Sequence, residues 1–380
     1  MMSISFRPID RALTTLALGG VLGMAATAQA QAAQSASPLV SGHEYVVTAH
    51  HPNDLTFVDA QTDTLFKTCS LPERFNPGTL QMSPDHSVVY ILNNNMGDLY
   101  GVSVDSCDVV FHASLNIDRA ERSKAMFSIA VSRDGKEIYS IVNPTHLGAE
   151  AYEVLTPRLL VFSTSDGLSA KPIRKFSAPR QTTMIQVGND GALYVVGADV
   201  YKIDPQTGRT DVEIPLRNWK RAGFGAPDVL YIWPSQTPMN TLDFLYTAPR
   251  FKDEKQDPAT ADVLYGLASV NLTTGKSELV DFADFAEVYF TAARSPKDSN
   301  ILYAVLKHLG KYDMAQKKQL ANIPLDHSYY TVSSNHDGSK LYLAGAANDI
   351  AVYDADTLKK IANIKLTGDM SITTPQVFVR

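Results

Sequence analysis

Cysteine is almost absent from this chain of 380 residues: only Cys69 and Cys107 occur. The Cys-x-x-Cys-His run is missing, which excludes a covalently attached c-type haem of the usual kind. No Cys or His cluster has zinc spacing. Neither a G-x-S-x-G nucleophile elbow nor a phosphate-binding loop is present. Tryptophan is as scarce, with Trp219 and Trp233 alone. Packing or partner contact accounts for both more simply than a quinone made from tryptophan. Beyond the first thirty or so residues no stretch approaches the about twenty apolar residues that a membrane-spanning helix needs. Charge of one sign is lacking too: 34 Lys and Arg stand against 40 Asp and Glu, a net −6. So mild an acidic balance favours solubility and carries no nucleic-acid signature.

The N-terminal region is of a different character. Arg7 and Arg11 precede a mostly apolar run from Ala12 to Ala26, and Ala28-Gln-Ala30 is a small-x-small cleavage site. Residues 1–30 read as a cleaved secretory signal peptide, 31–40 as a flexible mature N-terminus, and 41–380 as one domain. Without Arg7, Asp10 and Arg11 the net charge of −6 becomes about −7. Export implies an oxidising compartment, where a lone pair of cysteines suggests one disulfide. Cys69–Cys107 is that candidate; two separate thiols are the alternative.

The strongest signal is a repeat. Seven short β-rich segments each carry a tyrosine: Tyr45, Tyr90, Tyr139, Tyr194, Tyr246, Tyr303 and Tyr342. Tyr303 and Tyr342 lie 39 residues apart, Tyr246 and Tyr303 57, and the other intervals fall between. A repeat of this length made of strands and tight turns predicts an all-β, seven-bladed β-propeller with four-stranded blades. In each copy the tyrosine is expected to pack between blades. The first repeat begins at Tyr45, already in second-strand position, and Pro375–Arg380 is a spare strand. Pairing that strand into the first blade closes the ring and leaves no open inner edge.

Loop length distinguishes the two faces of such a disc. The insertions Pro144–Pro157 and Pro249–Asp262 both join second to third strands, so they rise from one face. The blade connections Pro72–Thr79, Asn116–Met126 and Arg217–Phe224 belong to that face and are expected to be irregular. Long loops on a rigid frame are where binding concentrates. Trp219, Phe224, Arg119, Arg122, Arg180 and Arg221 fall there and are the partner-contact candidates. Arg74, Lys124, Arg217 and Lys220 add to a basic surface interleaved with Glu73, Asp118 and Glu121. His50-His51 opens a turn; adjacent side chains on extended backbone diverge, so the pair reads as an ordinary polar loop.

Tyr45-Val-Val-Thr48, Asn53-Asp-Leu-Thr-Phe-Val-Asp59 and Thr62-Asp-Thr64 resemble the blade motif of secreted propellers with YVTN-type repeats. Together with the export signal, the seven-blade length and the run from His50 to Asp59, the whole mature chain resembles the β subunits of quinohemoprotein amine dehydrogenases. The resemblance implies a non-catalytic subunit of a periplasmic heterotrimer that oxidatively deaminates primary amines. It implies a small γ subunit bearing cysteine tryptophylquinone and a large α subunit bearing two c-type haems. The propeller would bind neither cofactor, buttress the quinone subunit and help to wall the substrate pocket. No catalytic, cofactor or metal residue carries over to a position here. Two other classes remain open. One is a free-standing, lactonase-like hydrolase or small-ligand binder, for which Glu287 is an isolated candidate acid. The other is a surface interaction module.

Overall fold

The computed structural model describes residues 37–72, 77–230, 240–371 and 373–380. The expected signal peptide, Glu73, Arg74 and Trp233 lie outside the described residues. The chain forms seven antiparallel sheets arranged as a β-propeller. Blade 1 runs from rim to axis as Thr64–Ser70, Asp54–Asp59, Glu44–His50 and Gln376–Val379. The C-terminal strand thus lies innermost, with Tyr45 opposite Phe378 and Val47 opposite Gln376. From inner to outer strand, blade 2 spans Leu80–Met82 to Val109–Ser114 and blade 3 spans Ile129–Val131 to Arg174–Ser177. Blade 4 runs from Met184–Val187 to Thr210–Ile214, and blade 5 from Asp228–Leu230 to Ser277–Asp284. Blade 6 runs from Tyr289–Arg294 to Lys318–Pro324, and blade 7 from Thr331–Ser334 to Lys360–Lys365.

The apolar core is divided into seven slabs, one between each pair of neighbouring blades. Each sheet therefore buries both faces, so middle strands read as continuous apolar runs, not alternating ones. Tyr45-Val-Val-Thr-Ala49 is buried at every position; Tyr45 and Val47 face blade 2 while Val46 faces blade 7.

All seven repeat tyrosines are buried, none more than 5% exposed. Six of them face the following blade, and two donate to a backbone carbonyl in its third-to-fourth-strand turn: Tyr303 to Ala355 at 2.9 Å and Tyr342 to Ala60 at 3.5 Å. Tyr246 departs from the repeat. It lies one position out of phase and belongs to the slab between blades 4 and 5, while Leu245 faces blade 6. A one-residue offset turns a side chain to the opposite face of a strand. Its ring crosses the third strand at Gly266, where an added Cβ would stand 1.9 Å from Tyr246 Cζ.

At the rim, the outermost strand of every blade but the third carries a bulge. In blades 1, 2, 6 and 7 the bulge falls at one equivalent place, opposite Phe57/Val58, Gly101/Val102, Lys311/Tyr312 and Val352/Tyr353, while in blade 5 it lies further from the turn, opposite Tyr265/Gly266. A bulge twists an edge strand away from a flat pairing geometry, which protects these six exposed edges from pairing with other chains.

Cys69 and Cys107 form a disulfide with Cα atoms 5.3 Å apart, joining the outer strand of blade 1 to the last hairpin of blade 2. Beside it the buried Lys67 donates to the Ser37 and Asp105 carbonyls at 3.2 and 3.0 Å, and to that of Val104. Burial lowers its pKa. Leu39 N donates to Asp105 and Val40 N to the Tyr45 hydroxyl. The end of the expected flexible N-terminus, residues 37–40, is thereby held against blades 1 and 2.

Candidate functional site

Both insertions rise from the face expected, but the first is not a loop. The second strand of blade 3, Glu137–Leu147, continues beyond the blade and pairs with Tyr152–Val154 on one side. On its other side it pairs with Glu121–Lys124, inside the connection read as irregular from sequence. The result is a small three-stranded sheet standing above blade 3. The second insertion is a loop over 251–261, with Arg250 paired to Asp262 at its base.

Cross-strand partners share a face, and the register sorts this small sheet cleanly. Arg122, Thr145 and Val154 form one row, Lys124 pairs with Asn143, and Leu147 pairs with Tyr152. These side chains point away from the propeller; Tyr152 is 75% and Val154 68% exposed. Glu121 and Ser123 point inward and are buried. Glu121 forms an ion pair with Arg158 and accepts from the Ser123 hydroxyl. Burial alone would raise the Glu121 pKa, but Ser123 and Arg158 more than offset it and hold the carboxyl below its ordinary range. The Ser123 amide donates to Asn116 Oδ1 at 2.7 Å. The sheet is thus anchored on one side and bare on the other, basic along one edge and apolar along the opposite edge.

The sequence candidates divide between two environments. Arg122 belongs to the bare face, and Arg119 is exposed beside it, in a groove of about 570 Å³ with Ile117, Asp118 and Lys171. Arg180 is exposed and donates to the Leu155 carbonyl at 3.4 Å. Trp219, Arg221 and Phe224 gather elsewhere, against blade 5. Trp219 meets Tyr246 edge to face at 5.1 Å between ring centres. Arg221 grips Asp281 with two nitrogens and stacks 3.8 Å above the Phe224 ring. Asp281 also accepts from the Tyr246 hydroxyl at 2.6 Å. These three side chains therefore spend much of their contact area inside the chain, as the out-of-phase Tyr246 requires.

Other candidates also have local partners. Glu287 lies 3.0 Å from His308 and accepts from Asn322 at 3.1 Å. His50 is buried and bonds Thr56 at 3.0 Å, so it is an interior residue and not part of a solvated loop. Among the described residues no group of three or more His, Cys, Asp or Glu is placed to hold a metal. Tyr152, Val154 and Leu147 were missed as surface candidates; the alternation Tyr152-Glu-Val154 was the available signal.

No protein-family model matches this chain, and no curated protein sequence matches it. Solved structures do. Hydrazine synthase of Kuenenia stuttgartiensis superposes with a TM-score of 0.52 at 16% identity, over 83% of this chain and 90% of that one. Apo AztD from Citrobacter koseri gives 0.51 at 10% identity, over 89% and 98%. Dihydro-heme d1 dehydrogenase NirN in complex with DHE gives 0.50 at 13% identity, over 88% and 75%. At such identities the likeness is one of fold: this chain is a seven-bladed β-propeller with distant structural neighbours.

Proposed function

We propose that this chain is the non-catalytic propeller subunit of a periplasmic quinohemoprotein amine dehydrogenase, an oxidoreductase acting on the CH–NH2 group of primary amines. The observation that carries the reading is the anchored sheet over 121–124, 143–147 and 152–154, with its bare basic and apolar face. Exposed aromatic and arginine side chains on a rigid support have the composition of interface anchors. The resemblance of the blade motifs around Tyr45 and Asp59 supports the choice of family. In this reading the mature chain is exported, and its long-loop face holds the quinone-bearing γ subunit beside a haem-bearing α subunit. It binds no cofactor itself and helps to enclose the amine.

Purification from the native host tests this directly. The chain should co-purify with a dihaem protein and a small quinone protein, through a contact above about 2,000 Å². Expressed alone, it should fold but show no amine-dependent dye reduction. Tyr152→Glu should release the partners while leaving the propeller's own unfolding unchanged. A monomer in native extracts, with no haem protein attached, overturns the proposal.

A further inference from the structure

The opposite face of the disc holds a second feature, independent of partner docking. There the axial channel opens into a cavity of about 400 Å³, walled by the inner ends of blades 1 to 5. That is the size of a small-molecule site. Arg133, in the first turn of blade 3, reaches across blade 4 to blade 5. Its Nε donates to the Val187 carbonyl at 2.9 Å and its Nη2 to Asn240 Oδ1 at 2.6 Å. Asn240 is itself held, donating to Thr273 Oγ1 at 2.8 Å. Among the described residues the guanidinium is therefore held by neutral acceptors. Its neighbour Asp134 is occupied with Ser132 and Lys136, and among the described residues no carboxylate lies within ion-pair distance of Arg133. Partial burial lowers the Arg133 pKa, the direction expected of a cation losing water without gaining an anion.

Two glutamines complete the wall. Gln376 is satisfied, its Oε1 accepting from Met82 N at 2.7 Å. Gln81 and Gln186, on the inner strands of blades 2 and 4, are half-buried, and their amides make no hydrogen bond among the described residues. Neither amide is buried away from solvent, so water in the cavity can satisfy them and a ligand group can take its place. Among the described residues the mouth therefore presents the oriented cation of Arg133 and the amides of Gln81 and Gln186, each amide able to donate and accept.

We infer that this mouth binds a small organic anion, its carboxylate on Arg133 and its hydroxyl or amide groups on Gln81 and Gln186. A guanidinium matches a carboxylate geometrically. The glutamine carbonyl oxygens call for donors, which a hydroxycarboxylate supplies and inorganic phosphate supplies poorly.

The test is calorimetric titration of the full propeller with D-gluconate and L-malate, with inorganic phosphate and D-glucose as controls. Gluconate or malate should bind more tightly than phosphate, and glucose should not bind. Arg133→Gln should weaken binding about tenfold or more, the loss of a charge-assisted contact. Gln186→Met leaves the bonds of Arg133 intact and should weaken binding too, whereas Arg122→Gln on the opposite face should change nothing. The inference is overturned if neither hydroxycarboxylate binds at millimolar concentration, if phosphate binds more tightly than both, or if Arg133→Gln and Gln186→Met bind as the parent does.

Discussion

The repeat tyrosines show how a single residue type ties sequence to stability. Burial pushes the Tyr90 and Tyr303 phenols up to about 12. Burial raises Tyr246 and Tyr342 further, aided by Asp281 and Asp63 respectively. An unfolded tyrosine titrates near 10, so above that pH the folded state holds protons that the unfolded state has lost. The sign follows from linkage: the stabilisation is complete below about pH 10 and drains away as pH rises through about 12. Thermal unfolding followed against pH should show a flat midpoint up to about 10 and a steep fall beyond it. Tyrosinate absorbance should appear together with unfolding, and Tyr90→Phe should make the fall shallower. A midpoint unchanged at pH 12 would contradict this account. Buried tyrosines at blade spacing were legible in the sequence. The turn of Tyr246 towards blade 4 was not, because the phase of a side chain along its strand is invisible when only the interval of about fifty residues is read.

At the scale of elements, the small sheet above blade 3 depends on a contact between distant segments. Glu121 is nearly inaccessible and its ion-pair partner Arg158 begins the third strand of the blade, 37 residues away. Removing one partner of a buried pair strands the other charge, so Arg158→Ala should destabilise the protein by about 3 kcal/mol. Hydrogen exchange should accelerate first at 121–124, before the blades themselves loosen. Arg119→Ala, which removes an exposed side chain from the same connection, should have little effect on either measurement. Equal exchange in both variants would show that the sheet stands without its anchor. Sequence reading placed Asn116–Met126 and Pro144–Pro157 on the correct face but treated them as loops. Four-residue Glu-Arg-Ser-Lys has no apolar alternation to betray a strand; it pairs only because the extended blade strand offers an edge.

For the whole molecule, closure of the ring is the decisive contact. The C-terminal strand pairs along Glu44–Val47, Thr373 donates to the Ala49 carbonyl at 2.6 Å, and Arg380 forms an ion pair with Asp105 of blade 2. Because the core consists of slabs between blades, opening one blade exposes a slab as well as two sheet edges. Removing residues 371–380 should abolish single-transition unfolding and cause aggregation. A truncated protein that remains monomeric and melts like the full chain would show that the ring holds without its closing strand.

The sequence by itself determined the blade count, the strand that closes the ring and the face from which the insertions rise. Those features rest on local periodicity, turn chemistry and chain connectivity, all of which are written along the chain. Only the tertiary structure decided which side chains meet. It turned Trp219, Arg221 and Phe224 inward against Tyr246, assembled a three-stranded sheet from segments that read as loops, and spanned the axial mouth with Arg133 and Asn240, 107 residues apart. The physical reason is the same each time. A propeller brings together residues from different blades, and no local pattern records which side chain of one blade will face which of the next.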